Sequence, residues 1–187
     1  MLQLPHLIAQ TADTPALCTL FFGANDAAVP ASSHYVPMEE YQSNLAAMIG
    51  MMQSAWPACP IVLITPPPVD QEAWDSERGG PGRGQRELER ARKYGKAAVE
   101  VAIRLNCQYI DLLEHIHARV DWKECLSDGL HLSASGNEEL FQCVVGVIIS
   151  SAPDLQPDCL PVHFPLWSDL AAYEDGPQSL ITPLTIL

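Results

Sequence analysis

Basic residues are scarce in this chain: ten Lys and Arg stand against 23 Asp and Glu, a formal charge of −13. A surface of that sign repels phosphate backbones and anionic lipid, which argues against nucleic-acid and membrane-surface partners. Long apolar runs are missing too. The longest, around residues 144–149, falls far short of the roughly 20 residues that a membrane-crossing helix needs. The first fifteen residues, MLQLPHLIAQTADTP, have neither a basic start nor a sustained apolar core, so they do not read as a secretion signal. The six cysteines (Cys18, Cys59, Cys107, Cys125, Cys143, Cys159) include no CxxC pair and no companion HxxxH, which argues against a zinc framework. They read instead as reduced thiols packed like small hydrophobes, and a cytoplasmic location is expected. Internal repeats are absent.

What is present is a globular composition. Apolar residues make up 48% of the 187, enough for one domain that buries well over half of its unfolded surface. Strand and helix signals alternate along it. ALCTLFF (16–22) is a short apolar run stopped by Gly23, as suits a buried parallel strand. Pro37 opens a helical pattern with Glu39 and Glu40 in its first turn, where the helix dipole favours negative charge. Tyr41, Leu45, Met48 and Met52 recur on one face of it. IVLIT (61–65) is a second buried strand, ended by Pro66, Pro67 and Pro68, which cannot continue a central ladder.

Residues 69–84, with GGPGRG, read as a mobile surface loop. They lack the Lys-Ser/Thr ending of a phosphate-binding loop and follow no strand directly. Residues 85–105 read as a charged amphipathic helix and QYIDLL (108–113) as a third strand, with a shorter helical or irregular stretch to Cys125. Residues 137–149 form a final helix whose wide apolar stripe is Leu140, Phe141, Val144, Val145 and Ile148. Beyond Ser151 the chain turns Pro-rich and is expected to pack through Phe164, Leu166, Trp167 and Leu170 before fraying. Helices between buried strands predict an α/β fold, a three-layer α/β/α sandwich around a parallel sheet.

Two motifs carry chemistry. FGAND (22–26) ends the first strand, and ligands of open α/β sheets bind at the carboxyl ends of strands. There the Asn25 amide suits donation to an oxyanion, and Gly23 lets the backbone approach closely. The same residues also suit an Asx turn closing the strand. The second motif is DGLHLS (128–133). An Asp three residues before a His, across a Gly, can fold back to accept Nδ1–H and leave Nε2 free as a general base. A capped turn beside a surface histidine is the other reading. A two-ligand metal site is disfavoured, because no third ligand of matching character lies nearby.

In this order, and separated by two further strands, the motifs resemble the SGNH (GDSL-type) hydrolases, and most closely their isoamyl acetate-hydrolysing esterase branch. The resemblance rests on FFGAND (21–26), LITPPP (63–68) and LSDGLHLSASGNEELF (126–141), with a weaker match at LPVHFPLWSDL, and it runs from about residue 17 to residue 170. It implies an oxyanion-donor role for Asn25, with Gly23 beside it, and acid and base roles for Asp128 and His131. The substrate implied is a small acyl ester, with no cofactor and no metal.

The family's Gly-Asp-Ser block, which carries the nucleophile, has no counterpart here. No other serine replaces it. Ser32 and Ser33 lie in the loop after FFGAND, Ser127 adjoins Asp128, and none of them sits in a Gly-framed elbow after a strand. Ser133 reads as the entry residue of the final helix, bonding its backbone amides. The resemblance therefore implies an N-terminally truncated, flavodoxin-like domain over 1–170 with a C-terminal tail over 171–187. The three strands correspond to the third, fourth and fifth of the order 2-1-3-4-5. Residues 16–22 are then a bare apolar edge, which invites self-association. Two functions follow: an ester hydrolase impaired by the lack of its nucleophile, or a non-catalytic binding or oligomerising module.

Overall fold

The computed structural model describes residues 3–160. The expected contacts of Phe164, Leu166, Trp167 and Leu170, and the boundary at 170, lie outside the described residues. In chain order the elements are α1 (Leu4–Gln10), β1 (Cys18–Phe21), α2 (Met38–Ala55), β2 (Ile61–Ile64), α3 (Gln71–Ser76), α4 (Leu88–Arg104), β3 (Gln108–Ile110), α5 (Leu112–His117) and α6 (Ala134–Ser151). Short 3-10 turns add Trp122–Cys125 and two segments after α6.

The three strands form one parallel sheet in the order β1-β2-β3, with Leu20 opposite Leu63 and Leu63 opposite Tyr109. Because side chains alternate across a strand, β2 feeds both faces. Ile61 and Leu63 join Tyr41, Leu45, Ile49 and Met52 of α2, together with Tyr94, Ala98 and Val101 of α4. Val62 and Ile64 meet Ile110, Leu112 and Ile116 on the other face, where Leu140, Cys143, Val144 and Val147 of α6 close the layer. The result is the three-layer sandwich with a parallel centre. Alanines at positions 91, 97, 98 and 102 let α4 lie close to the sheet. On α2 the buried stripe takes Ile49, and Met48 is only half-buried.

Several expectations are corrected. Residues 69–84 are no featureless surface loop: they hold α3, and Val69, Trp74 and Asp75 are buried. The Asp75 carboxylate accepts the backbone N–H groups of Gly82 and Gly84, each at 2.7 Å, and the Trp74 indole donates to the Gly84 carbonyl at 2.8 Å. The glycines let the backbone wrap a buried anion.

The third strand stops at Ile110, because Asp111 turns to cap α5, its Oδ1 accepting from Glu114 N at 3.3 Å. The final helix starts three residues early, at Ala134, where the Ser133 hydroxyl accepts from Gly136 N at 3.2 Å. Its apolar stripe is buried only in part, since Phe141 is 57% exposed. α1, not anticipated from the sequence, packs Leu4 and Ile8 against the α2 layer.

All six cysteines are free thiols. Burial pushes the Cys59 and Cys107 thiols up to about 11, so both rest protonated among apolar neighbours. Cys159 departs from the expected pattern and is exposed. Among the described residues, no helix is long and apolar enough to cross a membrane. No strand of the described residues pairs with the outer side of β1, where Phe21 is exposed.

Candidate active site

β1 delivers its motif through a turn that only glycine permits. Gly23 has φ +119°, and a Cβ there would lie 2.7 Å from the Tyr41 hydroxyl and 3.2 Å from the Pro66 ring. That hydroxyl donates to the Phe22 carbonyl at 3.2 Å, and Ala27 N donates to the Gly23 carbonyl at 2.9 Å. The turn lifts Asn25 to an exposed position above the carboxyl end of the strand. The Asx alternative does not occur for Asn25. Its Oδ1 accepts from Arg86 Nη2 at 2.7 Å, a partner 61 residues away.

The second motif closes within itself. Asp128 Oδ1 accepts from the backbone of Leu130 at 3.1 Å and of His131 at 2.9 Å, while Oδ2 lies 2.8 Å from His131 Nδ1. Burial works to raise the Asp128 carboxyl, but the His131 and Leu130 hydrogen bonds outweigh it and hold the group below its ordinary value. An ionised carboxylate at Nδ1 puts the proton on that nitrogen and leaves Nε2 as the acceptor. The imidazole is exposed, and among the described residues Nε2 has no hydrogen-bond partner. Gly129, at φ +92°, carries the loop against the chain leaving β2.

One cavity of about 270 Å³ joins the two motifs. Phe22, Asn25, Pro67, Leu130, His131 and Leu132 are among its walls. The structure thus brings Gly23, Asn25 and His131 together at the carboxyl edge of the sheet, with Asp128 supporting His131 from behind. The serines lie elsewhere in their bonding. Ser127 Oγ donates to the His131 carbonyl at 3.1 Å, Ser32 Oγ accepts from His34 N at 3.3 Å, and Ser33 is exposed in the same loop. Ser133 caps α6 and donates to the Glu124 carbonyl at 2.6 Å. Among the described residues, no serine hydroxyl hydrogen-bonds to His131 Nε2.

Three neighbours of the site went unnoticed in the sequence. Trp74 meets the His131 ring edge-on, with centroids 5.6 Å apart. Arg78 stacks over Trp74 and brings Nη2 to 3.8 Å from Asp128 Oδ2. Arg86 is buried against Asn25. All three flank the GGPGRG run, whose composition suggested only flexibility.

A parallel three-layer sandwich of this topology is the fold of the SGNH, or GDSL-type, lipases and acylhydrolases. It matches a lipase/acylhydrolase from Enterococcus faecalis with a TM-score of 0.59 and 31% identity, over 73% of this chain and 62% of that one. An acetyl xylan esterase from Geobacillus stearothermophilus shares the fold at a TM-score of 0.58 and 19% identity, over 76% of this chain and 62% of that one. The chain belongs to the GDSL-like lipase/acylhydrolase family, whose model matches residues 2–139. It is 36% identical over 165 residues to a GDSL esterase/lipase of Arabidopsis thaliana, covering 84% of this chain and 68% of that protein. It is 34% identical over 174 residues to the human isoamyl acetate-hydrolyzing esterase 1 homolog, covering 90% of this chain and 68% of that protein. The chain thus spans about two thirds of these curated relatives and less than two thirds of the solved structures.

Proposed function

We propose that this site serves the hydrolysis of small acyl esters by serine-type acyl transfer. His131 is the base, Asp128 fixes its tautomer, and Asn25 donates to the oxyanion beside Gly23. As a serine oxygen bonds to the ester carbonyl carbon, His131 Nε2 takes the hydroxyl proton and Asn25 meets the charge gathering on the carbonyl oxygen. The C–O bond to the alcohol then breaks, and His131 returns the proton to the departing oxygen. Water repeats the sequence on the acyl-serine. The observation that carries this reading is the 2.8 Å contact of Asp128 with His131, which lines one cavity together with Asn25. The cavity is small and largely apolar, and relatives carry the name isoamyl acetate-hydrolyzing esterase, which supports a short acyl group and a short alcohol.

The 187 residues hold no Gly-Asp-Ser block, so this polypeptide alone is expected to bind such esters and turn them over poorly. The test has two arms. Isoamyl acetate added to the isotopically labelled chain is expected to perturb Asn25, Leu132 and His131 resonances; perturbation confined to other regions contradicts the site. Turnover of p-nitrophenyl acetate is expected near background. Robust turnover blocked by a serine-directed phosphonate contradicts the claim of a missing nucleophile.

A second reading, a non-catalytic module that self-associates, is favoured by the outer side of β1, which is unpaired among the described residues, and by its exposed Phe21. A concentration-dependent mass is its signature, and a monodisperse monomer contradicts it.

A further inference from the structure

Among the described residues, Arg86 is the one cation that is buried, at 6% exposure. Its acceptors are both neutral: Nη2 donates to Asn25 Oδ1 at 2.7 Å and Nη1 to the Gln85 carbonyl at 3.2 Å. Its Nε is buried with no partner. Burial lowers the guanidinium's pKa, Arg78 adds repulsion, and Asp26 opposes both. A cation held this way is unfavourable for the fold. The backbone that aims it is strained as well, since Gln85 adopts φ +57°, a region that residues with a Cβ avoid. Tying two loops together does not require any of this. Arg90 Nε already donates to the Ala27 and Ala28 carbonyls at 3.1 and 3.0 Å, and Val29 N donates to the Gln85 carbonyl at 3.2 Å.

The chemistry of the pair is one-directional. A guanidinium has five donors and no acceptor, whereas an asparagine amide has an acceptor end and a donor end. Asn25 meets Arg86 favourably only by turning Oδ1 inward, which leaves Nδ2 and its hydrogens on the cavity side. The bond is charge-assisted, so it also draws electron density from the amide and strengthens Nδ2–H as a donor. We infer that Arg86 is a positioning residue, which sets the Asn25 amide so that its donor end faces the cavity and holds it there before substrate arrives. The inference rests on the proposed role of Asn25 as oxyanion donor and extends it to the residue that fixes the amide's direction. Preorganised donors of this kind need no reorientation when charge develops.

The test is side-chain amide NMR on the 187-residue chain, with the Asn25 signals assigned by their loss in Asn25→Ala. In the unsubstituted chain, the Asn25 Nδ2 protons are expected to show no strong cross-peak to the Arg86 guanidinium protons. A strong one puts the donor end on the arginine and overturns the inference. Acetate, a carboxylate probe for the oxyanion position, is expected to shift the Nδ2 signals. Arg86→Gln is expected to weaken acetate binding about tenfold and move those signals, as suits loss of a charge-assisted hydrogen bond. Arg86→Lys, which keeps a cationic donor, is expected to restore part of both.

Unchanged signals and unchanged acetate affinity in a folded Arg86→Gln chain overturn the inference. If that chain does not fold, the Lys variant and the cross-peak decide. If Asn25→Ala binds acetate normally while the Asn25 signals still depend on Arg86, the oxyanion role falls and the orientation by Arg86 stands.

Discussion

The carbonyl of Gly129 accepts from the backbone N–H of Asp70 at 2.9 Å, so the loop that carries the Asp128–His131 pair is stitched to the chain leaving β2. A Cβ on Gly129 would lie 2.6 Å from the Asp70 carbonyl oxygen and 2.6 Å from Trp74 N. The residue also sits at φ +92°. Gly129→Ala therefore meets both a backbone clash and a disfavoured conformation. It is expected to destabilise the fold by about 2–3 kcal/mol and to displace His131. Urea denaturation measures the first effect and His131 ring chemical shifts the second.

Asp128 makes stability depend on pH in a defined direction. Its carboxyl lies below the ordinary 3.8 because hydrogen bonds from His131 and Leu130 outweigh the opposing effect of burial. A depressed folded value means that the ionised group stabilises the fold above about pH 4, and that this contribution is lost as pH falls through the folded value. The side chain is partly solvated, which keeps the contribution under about 1 kcal/mol. Denaturation midpoints of the chain and of Asp128→Asn are expected to differ by a constant amount near neutrality and to converge in acid. A gap that widens toward acid contradicts the assignment.

Asp75 organises the glycine-rich run. Replacing it by alanine removes the acceptor for Gly82 N and Gly84 N and is expected to cost about 2 kcal/mol. Hydrogen exchange at those two amides is expected to accelerate far more than at the α2 core. The same variant is expected to loosen Trp74, whose indole bonds to the Gly84 carbonyl.

The outer side of β1 carries no paired strand among the described residues. Light scattering is expected to show a mass that rises with concentration. Thr19→Lys, at an exposed position of that strand, is expected to suppress the rise by putting charge on the edge. A mass that ignores both concentration and the substitution counts against association through this strand.

The parts of the fold legible in the sequence are those specified locally. Residues 61–64 form an unbroken apolar run stopped by three prolines, and a strand buried on both faces needs no more than that. Helix α2 announces itself through Pro37, two glutamates in the first turn, and a repeat of large apolar residues. The Asp128–His131 contact closes within four residues, so the spacing alone brings the groups together.

What escaped notice turns on single side chains whose bonding partners the residue pattern does not display. Asp75 turns a Gly-rich run from apparent slack into a bonded loop, and Asp111 turns the end of an apolar stretch from strand to helix. Arg86 reaches Asn25 across 61 residues, and Gln85 before it adopts a conformation that its residue type does not advertise.

The three prolines that end β2 are all buried, and Pro67 forms part of the cavity wall. Proline has no amide hydrogen, so along this stretch the main chain has nothing to donate. A carbonyl turned toward that wall finds no proton there, while a hydrocarbon tail rests against it without displacing one. For the small ester proposed above, a hydrocarbon arm is expected to settle on the proline side and the carbonyl oxygen to face the asparagine.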